Sequence, residues 1–332
     1  MKAILATAAG GTEVLQLRDI PLPELPSSHH VRVKLAAAGV NPVDAKLRAK
    51  PAYYPDKLPA ILGCDGAGVV EAVGEKVTRF KPGDGVFFCN GGIGGEPGNY
   101  AEYTTLHEDH CAAKPARLPI EDCAALPLVC ITAWEALIER AQLHAGQTVL
   151  IHAGAGGVGH VAVQIAQHRD ARVAVTVSDD RKAEFAKKLG AEKVIHYRSQ
   201  DFVQETLHWT GGKGASVVFD TVGGETFLRS LEAARIGSRV VSILGAPLAA
   251  ADVQLARFRN LSLCFELMLT PQAMRLHEER TRQRRILEKC AQLVDEEELQ
   301  VLVSHRFPLE QAAEAHKLIE QGHSMGKIVL TV

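Results

Sequence analysis

The chain has 332 residues, 46% of them hydrophobic, and a formal net charge of −2. That length exceeds one average domain and suggests two, and the near-neutral charge offers no basic surface for nucleic acid or membrane phosphates. The seven cysteines are odd in number and never form C-x-x-C, which argues against a disulfide framework and a cysteine-rich zinc lobe.

The first residues of the chain do not have the features of a targeting segment. MKAILATAAGG has too short an apolar run for a signal peptide. No stretch reaches the roughly 18 apolar residues of a membrane span. Together with the odd number of cysteines and the absence of C-x-x-C, this predicts a soluble, reduced, cytoplasmic protein.

Residues 1–120 are predicted to be mainly β structure. HVRVKLAAAG (30–39) alternates apolar and polar residues like a half-buried strand. GAGVVEAVG (66–74) is a short apolar strand, and KPGDGVFF (81–88) is a turn that leads into another. Half of the residues from 89 to 98 are glycines, so we expect an exposed loop there. HEDHC (107–111) groups residue types that bind metals, but it follows a strand and is interpreted as a solvated loop. The fourteen histidines of the chain are interpreted as scattered and mostly on the surface.

Beyond about residue 121, apolar strands alternate with segments of helical period. Such alternation predicts a doubly wound parallel sheet covered on both faces. TGGKG (210–214) lacks the spacing of a Walker loop and is predicted to be a turn. The predicted strands are QTVLIHAG (147–154), RVAVTVS (172–178), KVIHY (193–197), SVVFDTVG (216–223), SRVVSILG (238–245) and NLSLCFEL (260–267).

Residues 271 to about 299 are predicted to be helical and are highly charged. HEERTRQRRILEK (277–289) is interpreted as a solvated mixed-charge helix. HRFPLEQAAEAHKLIE (305–320) predicts a loop and a helix. GKIVLTV (326–332) predicts a final strand that pairs back with the N-terminal β region.

A glycine-rich turn joins the first strand of the alternating region to a helix. It contains Gly154-x-Gly156-x-x-Gly159, whose glycines allow the backbone to approach a pyrophosphate held at the helix N-terminus. The strand before it and the βαβ unit after it supply the context that this motif requires. Asp179 lies 20 residues past Gly159, a spacing that favours NAD, but Arg181 and Lys182 follow, so spacing alone leaves NAD and NADP open.

Several segments resemble the medium-chain dehydrogenase/reductase superfamily, most closely its zinc-independent quinone oxidoreductase (ζ-crystallin-like) branch. They include AAGVNPVDAKLR, LPAILGCDGAGVVEAVGEKVTRFKPGD, ITAWEAL and AGAGGVGHVAVQIA. The resemblance implies an α/β fold: a GroES-like β domain (1–122 and 271–332) that carries a Rossmann doubly wound domain (123–270) as an insertion. It also implies an active site in the cleft between them.

Metal-binding members of this superfamily have three zinc ligands that are altered here. The resemblance puts Asn41 in place of the first, Cys64 in place of the second and Leu128 in place of the third. Of these three residues, at most Cys64 has an atom that could bind zinc. A catalytic zinc normally has three protein ligands and a water. We therefore predict no metal. Cys64 is expected on the cleft floor, as a thiol open to oxidation, and Asp65 is expected to accept a local hydrogen bond.

The resemblance favours NADPH as the cofactor and leaves NADH possible. Ser178, Lys182 and Tyr197 match residues that surround the 2′-phosphate in NADPH-dependent members, and Val177 rather than Asp179 falls at the usual ribose-carboxylate position. The remaining cofactor-binding residues implied by the resemblance are Asn41, Thr132, Gly154, Gly156, Gly157, Val158, Gly159, Val222, Gly245 and Lys327.

The implied reaction is hydride transfer to a quinone or a carbonyl-conjugated alkene. Without a metal, hydrogen-bond donors must stabilise the developing phenolate or enolate, and the candidates are Asn41, Tyr54 and Thr132, with Tyr53 as a further hydroxyl. Tyr54-Pro55 matches the family's Tyr-Pro. The edge strand NLSLCFEL suggests a homodimer. Two alternatives stay open: a zinc-dependent alcohol dehydrogenase and a non-catalytic NADPH-binding protein.

Overall fold

The protein is described by a computed structural model that covers residues 1–54 and 56–332. Pro55, the second residue of the Tyr-Pro match, lies outside the described residues. The chain divides into two compact units, residues 1–128 with 269–332, and residues 129–268. The domain boundaries expected from the sequence, after residues 122 and 270, stay a prediction.

The helices and strands of the described residues are numbered in chain order. The strands are β1 (Lys2–Ala6), β2 (Leu15–Asp19), β3 (His30–Val40), β4 (Ala60–Ile61), β5 (Asp65–Val73), β6 (Gly85–Cys89), β7 (Tyr103–His107), β8 (Ala112–Ala113), β9 (Thr148–Ile151), β10 (Arg172–Val177), β11 (Lys193–His196), β12 (Ala215–Asp220), β13 (Ala234–Ser242), β14 (Ser262–Phe265), β15 (Val303–Pro308) and β16 (Lys327–Thr331). The helices are α1 (Pro42–Ala49), α2 (Ile120–Cys123), α3 (Pro127–Trp134), α4 (Gly157–His168), α5 (Asp180–Lys188), α6 (Phe202–Trp209), α7 (Glu225–Ala233), α8 (Ala250–Phe258), α9 (Thr270–Ala273), α10 (His277–Asp295) and α11 (Ala312–Glu320). A π-helix spans Glu135–Arg140.

The first unit is built on two β-sheets. One sheet has the order β15-β16-β3-β5-β6-β8, with β7 also pairing with β3, and the other has the order β2-β1-β4. The alternation in β3 is confirmed, because Val31, Val33 and Leu35 are all buried. The pairing of the last strand with the N-terminal region is also confirmed, since β16 runs antiparallel to β3 with Ile328 opposite Val40.

Two expectations for this unit are wrong. Residues 303–308, expected as a loop from His305 onward, form β15, which pairs in parallel with β16. The loop at 89–98 is not exposed along its length, because Asn90 and Ile93 are buried and Gln272 donates a hydrogen bond to the Gly91 carbonyl at 2.6 Å. Its glycines serve close packing: a Cβ on Gly92 would lie 2.5 Å from the Gly63 carbonyl oxygen.

The second unit is a doubly wound parallel sheet, as predicted. The strand order is β11-β10-β9-β12-β13-β14, and every pairing is parallel. The strands read as continuous apolar runs because helices cover the sheet, and the α4 residues Val161, Ala162 and Ile165 are fully buried. The predicted NLSLCFEL strand is β14, at one edge of the sheet. Among the described residues, no helix combines the length and the apolar character that crossing a membrane requires.

Candidate functional site

The glycine-rich turn forms a tight connection between β9 and α4. Gly156 is the N-cap of α4, so Gly157, Val158 and Gly159 form the first turn of the helix. The N–H groups of a first helical turn have no carbonyl partner within the helix and point at a ligand beyond its N-terminus. A side chain is excluded here: a Cβ on Gly159 would overlap the Ala153 carbonyl oxygen, and one on Gly154 would lie 2.5 Å from Val175 Cβ.

Apart from Thr132 on α3 and Lys182 on α5, the cofactor residues expected in the second unit follow five neighbouring strands. In spatial order, Tyr197 follows β11, Ser178 follows β10, the 154–159 turn follows β9, Val222 follows β12 and Gly245 follows β13. Because the strands are parallel, these residues share the carboxyl edge of the sheet. The chain winds outward from β9 in one direction and from β12 in the other, and that switch point is where open α/β sheets bind dinucleotides.

A lysine and a serine lie together at the end of β10. Lys182 Nζ is 3.0 Å from Ser178 Oγ. Asp179 is the N-cap of α5: it accepts the Lys182 backbone N–H at 3.0 Å and the Ser178 hydroxyl at 2.7 Å, and the latter bond is the main cause that lowers the Asp179 pKa. Asp179 therefore acts as a helix cap, a role that its spacing from Gly159 did not reveal. Val177, at the usual ribose position, is buried and apolar.

In the first unit, Asn41, Asp65 and Lys327 form a buried polar cluster. β3 pairs with both β5 and β16, so the first residues of β5 and β16, Asp65 and Lys327, lie beside the end of β3, which Asn41 follows. Asn41 Nδ2 donates to Asp65 Oδ2 at 2.9 Å, and Lys327 Nζ donates to Asn41 Oδ1 and lies 3.5 Å from Asp65 Oδ2. Asp65 Oδ1 accepts the Leu128 backbone N–H at 2.8 Å. Burial raises the pKa of Asp65, and Lys327 opposes the rise.

This cluster does not fit the zinc site that metal-binding relatives would have. The Asn41 amide is hydrogen-bonded to the Lys327 ammonium and to the Asp65 carboxylate. The Lys327 ammonium also lies 3.5 Å from Asp65 and balances its charge. Leu128 has no side-chain ligand atom. Cys64 is fully buried, and a hydrogen bond with Cys89 together with burial raises its pKa well above the ordinary value. A buried thiol with a raised pKa is a poor nucleophile, so the expectation of an oxidation-sensitive Cys64 is disfavoured.

A second buried network, missed by sequence reasoning, begins at Asp44. Its Oδ2 accepts the Asn41 backbone N–H at 2.8 Å and the Tyr100 hydroxyl at 3.2 Å. Tyr100 Oη lies 3.1 Å from His316 Nε2, and Arg48 connects His316 Nδ1 (3.3 Å) to Glu320 (2.5 Å). Burial raises the pKa of Asp44 to about 7. The network holds the backbone of Asn41 in place. In the sequence, the only indication of this network is the Asp of the NPVD stretch.

Two other predicted catalytic residues have defined surroundings. The Tyr54 hydroxyl donates to the Ala273 carbonyl at 3.0 Å, and a Cβ on Gly95 would lie 2.7 Å from the Tyr54 ring. Tyr54 is therefore held within the first unit by its hydroxyl and by packing. Thr132 is buried on α3, in the second unit.

The interpretation of HEDHC as a solvated loop is wrong. Glu108 and His110 are buried, because Glu108 accepts the backbone N–H groups of Thr78 and Arg79 at 2.8 and 2.9 Å and His110 packs against α10. Burial lowers the pKa of His110 to about 2. The histidines are not scattered either, since five of them are in ring contact: His29, His30, His107, His110 and His277.

The mixed-charge helix α10 is also not simply solvated. Arg280 and Arg284 are buried. Arg280 bonds to Asn90 Oδ1 and to Glu96 at 2.9 Å, and Arg284 donates to the Asp109 carbonyl at 3.1 Å. These arginines attach α10 to the loops that precede and follow β7, which a charge pattern alone does not indicate.

The chain is similar to known dehydrogenases along its whole length. Residues 27–116 match the family model of the alcohol dehydrogenase GroES-like domain, and residues 189–330 match that of zinc-binding dehydrogenase. Quinone oxidoreductase of Pseudomonas aeruginosa is 34% identical over 331 residues, which cover 99% of each chain. The crystal structure of Escherichia coli quinone oxidoreductase complexed with NADPH is 30% identical with a TM-score of 0.87, and that of an NAD-dependent alcohol dehydrogenase is 33% identical with a TM-score of 0.89; each match covers 100% of both chains.

Proposed function

Since this chain belongs to the quinone oxidoreductase branch of the medium-chain dehydrogenase/reductase superfamily, we propose that it transfers a hydride from NADPH to a quinone or a carbonyl-conjugated alkene, without a metal. The observation that carries the proposal is the row of residues along the carboxyl edge of the parallel sheet, from Tyr197 to Gly245. The Escherichia coli relative of known structure is complexed with NADPH.

The preference for NADPH rests on the end of β10. The Lys182 ammonium, 3.0 Å from Ser178 Oγ, offers a positive charge to one phosphate, and the Ser178 hydroxyl would donate to the same phosphate after turning away from Asp179. The Asp179 carboxylate caps α5 and keeps its charge, and it lies 3.8 Å from the Lys182 ammonium, which offsets its repulsion of that phosphate. Tyr197 is 45% exposed at the end of the adjacent strand and supplies an aromatic face.

The role proposed for Asn41 is donation of a hydrogen bond to the developing oxyanion or to the nicotinamide. An amide N–H₂ has two donors, and Asp65 accepts one of them. Lys327 fixes the orientation of the amide, because only Oδ1 can accept from an ammonium. The nicotinamide supplies the hydride, and the chain supplies position and preorganised donors. Thr132 is proposed as a second donor, and the final proton is proposed to come from Tyr54 or from water.

The metal-free proposal is supported by the donor set at positions 41, 64 and 128. An amide paired with an ammonium, a single buried thiol and a leucine replace the three ligands. A quinone is electron-poor and needs less electrophilic help than the alkoxide of an alcohol dehydrogenase, which depends on a Lewis acid. The similarity to an NAD-dependent alcohol dehydrogenase makes alcohol oxidation the second candidate.

A cytoplasmic homodimer completes the proposal. The structure describes all seven cysteines, and none of them forms a disulfide. Near the exposed edge strand β14, large apolar side chains face solvent: Phe258 is 86% exposed, Phe265 55% and Leu267 51%. An apolar sheet edge is a natural pairing surface. Light scattering coupled to size exclusion tests this assignment, with twice the chain mass expected.

The deciding experiment follows NADPH oxidation with 1,4-benzoquinone, with a conjugated enal and, in the reverse direction with NADP⁺, with simple alcohols. We expect turnover of benzoquinone or the enal and none of the alcohols. Alcohol turnover that requires stoichiometric zinc would replace the proposal with the dehydrogenase. Tight NADPH binding without turnover of any acceptor would indicate a non-catalytic binding protein.

A further inference from the structure

Three side chains with metal-binding atoms converge in the first unit, apart from positions 41, 64 and 128. His107 ends β7, Asp109 lies in the short 3-10 turn that follows, and His277 begins α10. One ligand atom from each lies within 4.8 Å of the other two. We propose that His107, Asp109 and His277 bind one divalent transition-metal ion of the zinc class, with water completing the coordination.

The spacing of the three side chains matches a tetrahedral ion. Ligands about 2.0–2.1 Å from zinc lie about 3.4 Å from one another at the corners of a tetrahedron. Asp109 Oδ2 is 3.5 Å from His277 Nε2 and 3.7 Å from His107 Nδ1. Both distances from the carboxylate are thus within a few tenths of an ångström of the tetrahedral value, and the ligand atoms of the two histidines lie within 4.8 Å of each other. Two imidazoles and one carboxylate favour zinc, nickel or copper over magnesium and calcium, which prefer oxygen ligands alone.

Neighbouring side chains orient the imidazole of His277. His110 Nε2 faces His277 Nδ1 at 3.1 Å, the kind of support that fixes a ligating histidine by its other ring nitrogen. With Nδ1 held there, Nε2 faces the Asp109 carboxylate.

The ring of His107 is also supported. His29 stacks on it with ring centroids 5.6 Å apart, and the His30 ring meets it edge-on. His107 Nδ1 accepts the Asp109 backbone N–H at 3.2 Å, so this nitrogen carries a lone pair rather than a proton. An ion bound at Nδ1 would take the place of that N–H as the partner of the lone pair.

The site is open to solvent and joins segments that are distant in sequence. The side chains of His277 and Asp109 are 51% and 33% exposed, which gives an ion an entry path. A bound ion would attach the turn after β7 to the start of α10. Its expected effect is stabilisation of the first unit, since a ligand that binds only the folded state shifts unfolding in its favour. None of the three residues belongs to the proposed hydride-transfer machinery, so the inference does not depend on the proposed function.

The test uses the full chain, freed of metal by a chelator and then titrated with ZnSO₄, with Co²⁺ as a spectroscopic probe of tetrahedral coordination. We expect one zinc per chain, a raised midpoint of thermal unfolding and visible Co²⁺ bands. His107→Ala and His277→Ala should each weaken zinc binding by about 100-fold or more, and His110→Phe by about 10-fold to 100-fold. His144→Ala, which removes an exposed histidine of the second unit, is the matched control and should bind as the parent does.

Three results would overturn the inference. One is an absence of bound zinc at a large molar excess of the ion. Another is unchanged zinc affinity in the His107→Ala/His277→Ala double variant. The third is loss of the bound zinc in Cys64→Ser, which would locate the ion at the positions of the altered catalytic ligands. Far-UV circular dichroism of each metal-free variant verifies that it is folded.

Discussion

Replacing Lys327 by Met removes the cation from the buried cluster of Asn41, Asp65 and Lys327. The Lys327 side chain is 3% exposed and that of Asp65 is fully buried, with 3.5 Å between Nζ and Oδ2. Removing one partner of a buried ion pair leaves an uncompensated charge and costs about 3–5 kcal/mol. The exposed Lys317, which pairs with Glu314 on α11, is the matched control, and Lys317→Met should cost less than about 1 kcal/mol.

The loss should depend on pH with a definite sign. Burial already raises the Asp65 pKa, and Lys327 opposes that rise, so its removal raises the pKa further. A carboxyl whose folded pKa lies above the unfolded one is stabilising when protonated, and the stability is lost as pH rises through the folded pKa. The deficit of Lys327→Met should therefore be largest near pH 8 and shrink toward pH 5, by about 1.4 kcal/mol per pH unit below the raised pKa.

Urea denaturation followed by far-UV circular dichroism measures this deficit. Both tryptophans, Trp134 and Trp209, lie in the second unit, so their fluorescence does not report on the first. The Asp65→Asn/Lys327→Met double variant removes both charges and should recover much of the stability, and its remaining deficit relative to the parent should depend little on pH. A deficit below 1 kcal/mol at pH 8, or one that is equal at pH 5 and pH 8, would refute the assignment of Lys327 as the counter-charge of Asp65.

Three further predictions concern the second unit. Lys182→Ala should raise the KM for NADPH by roughly 10-fold to 100-fold and leave the KM for NADH unchanged, because one charge-assisted hydrogen bond to the 2′-phosphate is lost. Lys187→Ala on the same helix is the control. An equal effect on both cofactors would contradict the assignment of Lys182 to the phosphate. Gly159→Ala should abolish detectable NADPH binding by equilibrium titration while the far-UV spectrum is kept, because its Cβ overlaps the Ala153 carbonyl oxygen; unchanged affinity would contradict the proposed phosphate site. Burial lowers the His152 pKa to about 4, whereas the unfolded imidazole has its ordinary pKa of about 6.5. As pH drops below about 6.5, the unfolded state therefore binds the proton before the folded state does, and the free energy of unfolding decreases. Tryptophan-monitored denaturation should show that the parent loses about 2 kcal/mol of this free energy between pH 7 and pH 5, and that His152→Asn does not.

The parallel sheet and its cofactor edge were predictable because the responsible signals are local. The strands are short apolar runs and segments of helical period separate the earlier ones, so the parallel, doubly wound sheet follows from the alternation, whereas the strand order comes from the structure. The turn at 154–159 carries its own context in the sequence. Asp179 shows the limit of such reasoning: its spacing suggested a ribose ligand, and only the geometry shows that it caps α5.

The histidine cluster and the buried arginines were not predictable, because they depend on contacts between segments far apart in the chain. His107 and His277 are separated by 170 residues (277 − 107), and no periodicity links them. Likewise, Arg280 stands in a sequence of mixed charge that is typical of a solvated helix, and its burial follows from Asn90 and Glu96. A charge pattern indicates which residues are charged, but the tertiary fold determines which residues they form hydrogen bonds and ion pairs with.

The initial rate of NADPH oxidation with 1,4-benzoquinone, measured before and after exhaustive treatment with a chelator, tests the central proposal most directly. Metal analysis of both samples accompanies the rates. The proposed mechanism predicts benzoquinone turnover at the same rate in both, even if zinc is removed from the histidine cluster. A lack of benzoquinone turnover, or a rate that disappears with the metal and returns with added zinc, would contradict metal-free hydride transfer.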